Sequence, residues 1–379
     1  ISECLVGSEM CIRDRVYITM AGEQVKDNTM WAKAASKAKE VIDNAATYGI
    51  KLEENYADLW LVNNRYNKES IFALNFADGL GDNQCGAEWR PTSIGSESGW
   101  GFFYTKQSYI DKFDDKDKRK AATFLTEIVS TVDNKTYTTE NFGSPYPHGK
   151  KWCDGGRENF SQRNKRTDMY IPIIRYAEIL LINAEAKAEL GILTQNDLNA
   201  TVNLLRNRVE MPEMTMNVPI DPALEALYPS VSGALKNVIL EIRRERRVEL
   251  ACEGFRYDDT MRWAAGSIYE RPFEGVYLPG FGVYDCTGDG VPDVALFKSP
   301  NDKMGYTDEE LKELSVYYTE DENGAPKQIY LSEGDKGNIR FYSDTDEDAN
   351  KFIAPKYYYY PLSKDELVLN PNLKQPIGW

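Results

Sequence analysis

The stretches RYAEILLINAEAKAELG, residues 175–191, and LNATVNLLRNRV, residues 198–209, predict two helices joined by a short turn. The apolar residues of the first stretch have the spacing of one helix face, at Tyr176, Ile179, Leu180 and Ala184. Gly191 is placed to end that helix. The pair occupies about 34 residues, the length of one tetratricopeptide-type unit, and its alanines would let neighbouring helices approach closely. We therefore predict a mainly α fold of stacked helix hairpins.

Another helix, predicted over about residues 234–253, has an unusual stripe. Its apolar positions Leu235, Val238, Ile239 and Ile242 are followed on the same face by charged ones, at Glu245, Arg246, Glu249 and Glu253. Burying a carboxylate is costly unless it is paired, so we expect Glu245 and Glu249 to meet guanidinium groups. The expected donors are Arg243, Arg246, Arg256 and Arg262. A catalytic carboxylate pair is the alternative, but arginines lower a carboxyl pKa and spoil a general acid, which favours a structural ion network.

Weaker patterns place the other elements. Apolar and small residues over 31–45 follow one helix face. ESIFALNFA, residues 69–77, is predicted to be a short buried segment. Residues 266–345 are rich in Gly, Pro and Tyr, which indicates a loop-rich, partly β region. Near the end of the chain, Ser363 and Glu366 form a capping-box pair that begins a short helix.

The composition excludes several classes of protein. The 379 residues include 45 Lys and Arg against 60 Asp and Glu, giving a formal net charge of −15 and a pI near 4.8. Binding to a nucleic-acid backbone needs a basic surface, so nucleic acid is not an expected partner. No run of about 18 apolar residues occurs, as a membrane-spanning helix would require. The six cysteines include no C-x-x-C pair, so neither a zinc ribbon nor a thioredoxin-type motif is present.

The first fifteen residues, ISECLVGSEMCIRDR, do not have the features of a protein start. They lack an initiator Met and the basic and apolar regions of a signal peptide. They resemble a translated sequencing adapter. We therefore expect residues 1–15 to be a non-native tail and the native chain to be truncated upstream of about Val16, with the loss of any signal peptide or lipid-attachment cysteine. A genuine disordered tail is the alternative.

Three segments, in this order, resemble the signatures of the SusD/RagB family. They are RYAEILLINAEA from Arg175, ERRVELACEGFRYDDTMRW from Glu245 to Trp263, and YYYYPLSKDELVLNPNLKQPIGW, which ends at Trp379. Weaker similarity reaches back through ESIFALNFA and SYIDKFDDKDKRK to the helix near Trp31. The resemblance thus covers nearly all of residues 16–379.

The resemblance implies a SusD-like fold, in which tetratricopeptide-like helix pairs form a right-handed superhelix beside an irregular, loop-rich part. It implies one domain over residues 16–379, with an N-terminal part, 16–130, truncated at its start, and a C-terminal part, 131–379. Family members are outer-membrane lipoproteins exposed on the cell surface of Gram-negative bacteria. Each acts as a lid on a SusC-like TonB-dependent transporter and captures oligosaccharides, or in some members peptides; none is known as an enzyme. Membrane attachment would be through a lipid anchor absent from this chain.

The shared motifs are scaffold, so a ligand site must be sought elsewhere. Sugars present C–H faces to aromatic rings and hydroxyls to polar groups, and Tyr and Trp combine an apolar face with a polar tip. The Gly-rich segment 77–103 suits such a site, because long loops with no secondary structure are often functional. The candidate ligand-binding residues are Asn83, Gln84, Trp89, Arg90, Trp100 and Tyr104. A second aromatic group could serve instead, or could face the transporter: Tyr269, Phe273, Tyr277 and Phe281.

The segment DCTGDGVPD, residues 285–293, has part of the pattern of an EF-hand loop. Its candidate calcium ligands are Asp285, Thr287, Asp289 and Asp293, with Gly290 at the turn position. Position 12 is Leu296 instead of the bidentate Glu. A plain acidic turn therefore explains the segment equally well. We expect no required cofactor and leave a structural calcium ion open.

Three other functions compete with glycan capture. A glycosidase needs two carboxylates roughly 5–10 Å apart, one with a raised pKa, and no segment offers a recognisable pair. A Ser or Cys hydrolase needs a His as base, and His148 is the single histidine, in a polar turn that indicates a solvated surface role. A purely structural lid on the transporter is the other reading. No catalytic residues are predicted.

Overall fold

The structure is a computed structural model, and it describes residues 2–76, 105, 107–110, 112–125, 127–129, 136–138, 148–151, 170–270, 274–285, 290–341 and 351–379. Its helices are α1 (Ser2–Ala21), α2 (Thr29–Asp43), α3 (Gln107–Ile110), α4 (Lys118–Thr123), α5 (Tyr176–Glu189), α6 (Gln195–Asn199), α7 (Val202–Arg208), α8 (Pro222–Leu227), α9 (Lys236–Glu249), α10 (Arg256–Arg262) and α11 (Lys364–Leu369). Its strands are β1 (Ser70–Leu74), β2 (Phe124–Leu125), β3 (Glu127–Val129), β4 (Thr136–Thr138), β5 (His148–Gly149), β6 (Ile171–Arg175), β7 (Tyr277–Leu278), β8 (Gly282–Tyr284), β9 (Val294–Phe297), β10 (Ser315–Tyr318), β11 (Ile329–Leu331) and β12 (Gly337–Phe341). Single-turn 3-10 helices include Tyr56–Trp60 and Gly266–Glu270.

Helix α5 lies at the centre of the helical part, between α2 and α9. Its side chains are buried on almost every side, as for Ile179 and Leu180. The facing surface of α2 is built from small residues, including Ala35, and the Asn183 side-chain amide donates to the Ala35 carbonyl at 2.9 Å. Small residues on both helices allow this close approach. The predicted mainly α fold with a partly β region is confirmed.

The helix hairpin after α5 differs from the prediction in its second half. Gly191 ends the first helix with φ of 71°, as expected. Thr194 then caps α6: its hydroxyl accepts from the Asp197 backbone N–H, and the Asp197 carboxylate accepts from the Thr194 N–H. The prediction of one continuous second helix is wrong, because Thr201 leaves the helical conformation with φ −135° and ψ −92° and separates α6 from α7.

Helix α9 is shorter than its sequence pattern. It ends at Glu249 and not at Glu253, because Cys252 has φ of 61° and Gly254 has φ of 87°, values outside the right-handed helical region. The chain therefore turns away before Glu253. This turn leads into α10, so that the charged end of α9 faces several other segments of the fold.

The β part consists of two small sheets. In the first, β9 pairs antiparallel with β8 and parallel with β10; in the second, β12 pairs antiparallel with β11 and with β7. Leu278, Leu296 and Leu331 form a core between the sheets, while Ala295 and Phe297 contribute to a core on the opposite face of the first sheet. The alternation along β9 explains how one strand serves both cores.

Strand β1 lies within the segment 69–77 and pairs antiparallel with β6. The prediction that this segment is buried is only partly right, since Glu69 is 0% exposed whereas Phe72 is 44% and Leu74 is 46% exposed. One face of a two-stranded ribbon is left open when no second layer covers it. The buried side is the side that carries the charged residue.

Helix α1 includes the adapter-like residues. Cys11 and Asp14 lie in its buried face, and Arg15 forms an ion pair of 2.5 Å with Glu178 of α5. Neither carboxylate oxygen of Asp14 accepts a hydrogen bond from any residue in the described ranges. Burial, and to a lesser degree the charge of Glu178, raises the pKa of Asp14 to about 8. That residues 1–15 are non-native stays a prediction.

Candidate functional site

The ligand-binding residues predicted from the Gly-rich segment lie outside the residues that the structure describes. They are Asn83, Gln84, Trp89, Arg90, Trp100 and Tyr104. Their role in ligand binding stays a prediction. The elements on either side of the segment are described: β1 precedes it, and α3 and α4 follow it.

Buried ion pairs connect β1 and α4, on the two sides of the Gly-rich segment, to the helical part of the fold. Glu69, next to β1, accepts hydrogen bonds from Arg175 at 2.8 Å and from Arg208 at 2.7 Å. Arg119 of α4 donates to Glu249 of α9 at 2.9 Å and also contacts Glu245. The scaffold therefore fixes the two ends from which the Gly-rich segment departs.

Glu249 is the centre of this ion network. Its carboxylate accepts from Arg119, from Arg175 at 2.6 Å and from Arg208 at 2.5 Å, and all four side chains are at most 3% exposed. Burial by itself would raise the pKa of Glu249, but the three guanidinium groups outweigh it and hold that pKa well below its ordinary range. A carboxyl group in this state stays ionised and cannot act as a general acid.

The expected pairing of Glu245 and Glu249 with arginines is confirmed, but the predicted donors are wrong. Glu245 is bound by Arg119 and Arg206. The four predicted donors have other partners: Arg246 pairs with Asp259, Arg262 with Glu185, Arg243 with Glu189, and Arg256 donates to Tyr228. The true donors come from other segments that pack across this helix face, which helical periodicity alone does not identify.

A groove between the two sheets is the candidate site within the described residues. Strand β10 and strand β11 are joined by a hairpin in which the Lys327 N–H donates to the Thr319 carbonyl at 2.8 Å. Beyond this contact the strands part, and a groove of about 660 Å³ opens. We call it the wedge; it is lined by Val316, Tyr317, Tyr318, Pro326, Lys327, Gln328, Ile329 and Phe341.

Aromatic rings from both sheets meet the wedge. Tyr317 is opposite Leu296 in the parallel β9–β10 pair, so its side chain is on the sheet face that is directed towards the second sheet. There it is 51% exposed, and Phe341 of the second sheet is 43% exposed. The Tyr318 ring is on the other face of its sheet, beside Phe297, and the Lys327 ammonium lies 5.1 Å from its centroid.

The wedge has the chemistry of a small-molecule site. Its volume falls within the usual range for ligand pockets, and it combines apolar walls with a few polar groups. Tyr317 and Phe341 offer rings for stacking, while Lys327 and Gln328 offer hydrogen-bond donors close by. No acid–base pair is among the lining residues that the structure describes.

The second aromatic group predicted from the sequence does not form one surface. Tyr269 lies by Tyr257 of α10, and its ring stacks on Phe352 with a centroid distance of 6.4 Å. Tyr277 and Phe281 belong instead to the β part, where Phe281 lines a second groove of about 500 Å³. Phe273 lies outside the described residues.

The calcium prediction stays a prediction. Thr287 and Asp289 lie outside the described residues. Asp285 accepts a hydrogen bond of 2.7 Å from the Gly290 N–H, and the Asp293 N–H donates to the Tyr284 carbonyl at 2.9 Å. These bonds form the turn between β8 and β9. Among the described residues, no group of three or more His, Cys, Asp or Glu side chains is arranged to hold a metal ion.

His148 is part of β5, whose backbone pairs with Phe124–Leu125. None of the helices in the described ranges combines the length and apolar character that crossing a membrane requires.

The sequence matches the model of the SusD family over residues 124–379. SusD-like protein P2 of Formosa agariphila is 28% identical to this chain over 251 residues, which are 62% of this chain and 47% of that protein. The chain therefore spans about half the length of the curated relative it matches.

Solved structures agree in fold. A SusD-like protein from Bacteroides fragilis has a TM-score of 0.63 and 20% identity, covering 98% of this chain and 65% of its own. Surface glycan-binding protein A from Bacteroides uniformis has a TM-score of 0.52 and 20% identity, covering 96% of this chain and 59% of its own. With helix hairpins, a small β part and a family match over more than half of its length, the chain belongs to the SusD family.

Proposed function

We propose that the protein captures oligosaccharides at the cell surface and passes them to a SusC-like TonB-dependent transporter. The observation that carries this proposal is the wedge, where Tyr317 and Phe341 expose aromatic rings beside Lys327 and Gln328. Membership of the SusD family supports it, as does the fold shared with a protein named for surface glycan binding. The residues predicted in the Gly-rich segment, Trp89 and Trp100 foremost, are kept in this proposal as a separate candidate site.

In this proposal the protein binds its ligand and does not cleave it. A glycoside hydrolase needs a carboxyl group with a raised pKa at the substrate. In the described ranges the carboxyl groups with a raised pKa are Asp14 and Glu189, and neither lines the wedge. Glu245, Glu249 and Glu253 have lowered pKa values, because the effect of their cationic partners exceeds that of burial.

Location and partner follow from the family and belong to the same proposal. The protein would be held at the outer face of the outer membrane by a lipid anchor, and would sit over its transporter. A structural lid with little ligand affinity of its own is the variant of this proposal in which the wedge stays unused.

Peptide capture is the second candidate, and one feature of the wedge favours it. Strands β10 and β11 are each the last strand of their sheet, so their outer edges flank the wedge. An extended peptide can add to such an edge through backbone hydrogen bonds. A glycan would use the exposed rings instead, so the two ligands depend on different groups.

A binding panel separates these functions. The full chain would be titrated calorimetrically with neutral and acidic oligosaccharides and with unstructured peptides, and the products would be checked by chromatography. Saturable glycan binding with intact products supports the proposal. Cleaved glycan would indicate a hydrolase, and saturable peptide binding would indicate peptide capture. No binding to any of these ligands would indicate a structural lid on the transporter.

The Gly-rich segment is tested with the variant Trp89→Ala/Trp100→Ala. Loss of stacking contacts should weaken oligosaccharide binding by tenfold or more, since each stacked ring contributes on the order of 1 kcal/mol. If the variant binds as tightly as the unaltered protein, Trp89 and Trp100 are not ligand-binding residues. That result would leave the proposal for the wedge unaffected.

A further inference from the structure

Tyr228, which follows α8, contacts two arginines from the next two helices, and a third arginine follows one turn after the first. Its side chain is almost fully buried, with the residue 1% exposed. The guanidinium carbon of Arg243 lies 5.2 Å from its ring centroid, and that of Arg256 lies 6.0 Å away. Arg247, one turn after Arg243 on α9, lies over the ring of Tyr109 at 4.9 Å. We call Arg243, Arg247 and Arg256 the arginine cluster.

The arginine cluster is short of negative charge. Glu189 is the one carboxylate within ion-pair distance of any of the three arginines, at 3.3 Å from Arg243 Nη2, as far as the structure describes the chain. The neighbouring Glu185 is already held by both terminal nitrogens of Arg262 and by the Trp263 indole. Three guanidinium groups thus share one carboxylate.

This shortage contrasts with the rest of the interior. Arg119, Arg175 and Arg208 have side chains that are at most 3% exposed, and each is bound by two or more carboxylates. The Arg243 side chain is 7% exposed, whereas Arg247 and Arg256 are partly buried. A buried cation without a partner is strongly destabilising, so a fold that pairs its other buried arginines so thoroughly is not expected to leave this group uncompensated.

Several donors around Tyr228 also lack an acceptor. Arg243 Nε, Arg243 Nη1 and Arg247 Nε are buried, and none donates to an atom of the described residues. The Tyr228 hydroxyl accepts from Arg256 Nη1 at 2.8 Å, which leaves its own proton to donate. Burial lowers the pKa of Arg243 and of Arg247, and the charge of Arg256 lowers the latter further. Arginine nonetheless stays charged at neutral pH.

We propose that Tyr228 and the arginine cluster bind a small oxyanion. Guanidinium groups donate paired N–H bonds that match the oxygens of a carboxylate, phosphate or sulfate, and the phenol supplies a further donor. One anion would offset the excess of positive charge and accept the open donors. It would connect the end of α8 with α9 and α10.

Burial limits what this site accepts. With Tyr228 at 1% and Arg243 at 5% exposure, a polymer cannot reach the open donors, whereas a free ion can approach from the half-buried Arg256. The site is therefore distinct from the wedge, and it does not depend on the glycan proposal.

The test uses the full chain and three sodium salts: phosphate, sulfate and acetate, each compared with sodium chloride at equal ionic strength. Thermal unfolding should show a saturable rise in Tm with an oxyanion, because a ligand that binds only the folded state stabilises it. Isothermal titration with phosphate then gives the dissociation constant. A preference for acetate would identify a carboxylate ligand, and a preference for phosphate or sulfate a tetrahedral one.

Variants assign the effect to the cluster. Tyr228→Phe removes one donor and keeps the packing, and Arg256→Gln removes a charge at the entrance; each should weaken phosphate binding at least tenfold. Arg244→Gln is the matched control, since Arg244 is on the same helix but pairs with Asp221 and Glu241, and it should bind as the unaltered protein does. An equal rise in Tm with chloride, no saturable binding, or unchanged affinity in both variants would overturn the proposal.

Discussion

Some buried residues of this fold are charged, and the opposite charges around them offset the cost of burial. Glu249 is fully buried and is contacted by three guanidinium groups from three different elements, α4, β6 and α7. The Glu249 carboxylate therefore connects three elements in the interior of the fold. Its removal affects three partners at once.

Glu249→Gln should be strongly destabilising. The variant leaves Arg119, Arg175 and Arg208 buried with less compensation, and we expect a loss of about 3–5 kcal/mol in the free energy of unfolding. Urea denaturation at neutral pH measures it. Glu309→Gln is the control, because Glu309 is exposed and should change the stability by about 0.5 kcal/mol or less. Equal effects of the two variants would contradict a central role for Glu249.

Asp14 should make the protein less stable as pH rises, whereas a carboxylate that is paired with a cation makes a protein more stable as pH rises. Its folded pKa of about 8 lies above its ordinary value of 3.8. Between these values the folded state binds the extra proton, so the contribution of Asp14 to stability is greatest below about pH 4 and falls as pH rises towards 8, by about 1.4 kcal/mol per pH unit at most.

The comparison is with Asp14→Leu, measured by urea denaturation at pH 5 and pH 7.5. The groups that act on Asp14 are Glu178, Glu40 and Lys37, and they are unchanged in the variant. The variant should gain stability relative to the unaltered protein, and the gain should be larger at pH 7.5. A gain that is the same at both pH values would show that Asp14 does not titrate in this window.

At the scale of elements, local signals set where helices begin and end. Ser363 caps α11 as predicted, since its hydroxyl accepts from the Glu366 N–H, and Thr194 with Asp197 forms a full capping box at α6. Local signals did not reveal the break at Thr201, because nothing in the apolar pattern marks it. The bounds of short elements depend on backbone angles that the neighbouring packing imposes.

Thr194→Ala tests the contribution of one cap. The loss of the hydroxyl removes the acceptor for the Asp197 N–H, and we expect about 1 kcal/mol less stability, read as a lower urea midpoint. Thr215→Ala, at an exposed position beyond α7, should leave the midpoint unchanged. A larger loss in the control than at Thr194 would argue against the capping account.

For the whole molecule, the wedge requires two sheets that come together and then separate. Tyr317 and Phe341 belong to different sheets, and the two sheets share a core that includes Leu278, Leu296 and Leu331. The site therefore exists only when the entire β part is assembled. Neither strand alone would hold the rings in place.

Tyr317→Ala/Phe341→Ala should weaken oligosaccharide binding by tenfold or more and leave the fold intact, since both side chains are about half exposed. Calorimetry measures the affinity, and circular dichroism checks the fold. Tyr66→Ala removes another exposed tyrosine, 83% exposed and distant in sequence, and should bind normally. If the double variant binds as tightly as the control, the wedge is not the glycan site.

The sequence by itself determined the helix that ends before Gly191, the loop-rich β region, and the need to pair Glu245 and Glu249, because periodicity and the cost of burying charge act locally. The tertiary structure decided which arginines do the pairing and that Tyr317 and Phe341 line one groove. Both arrangements depend on how separate elements pack against one another. Helical spacing shows which face a side chain is on, but only packing brings a partner to that face.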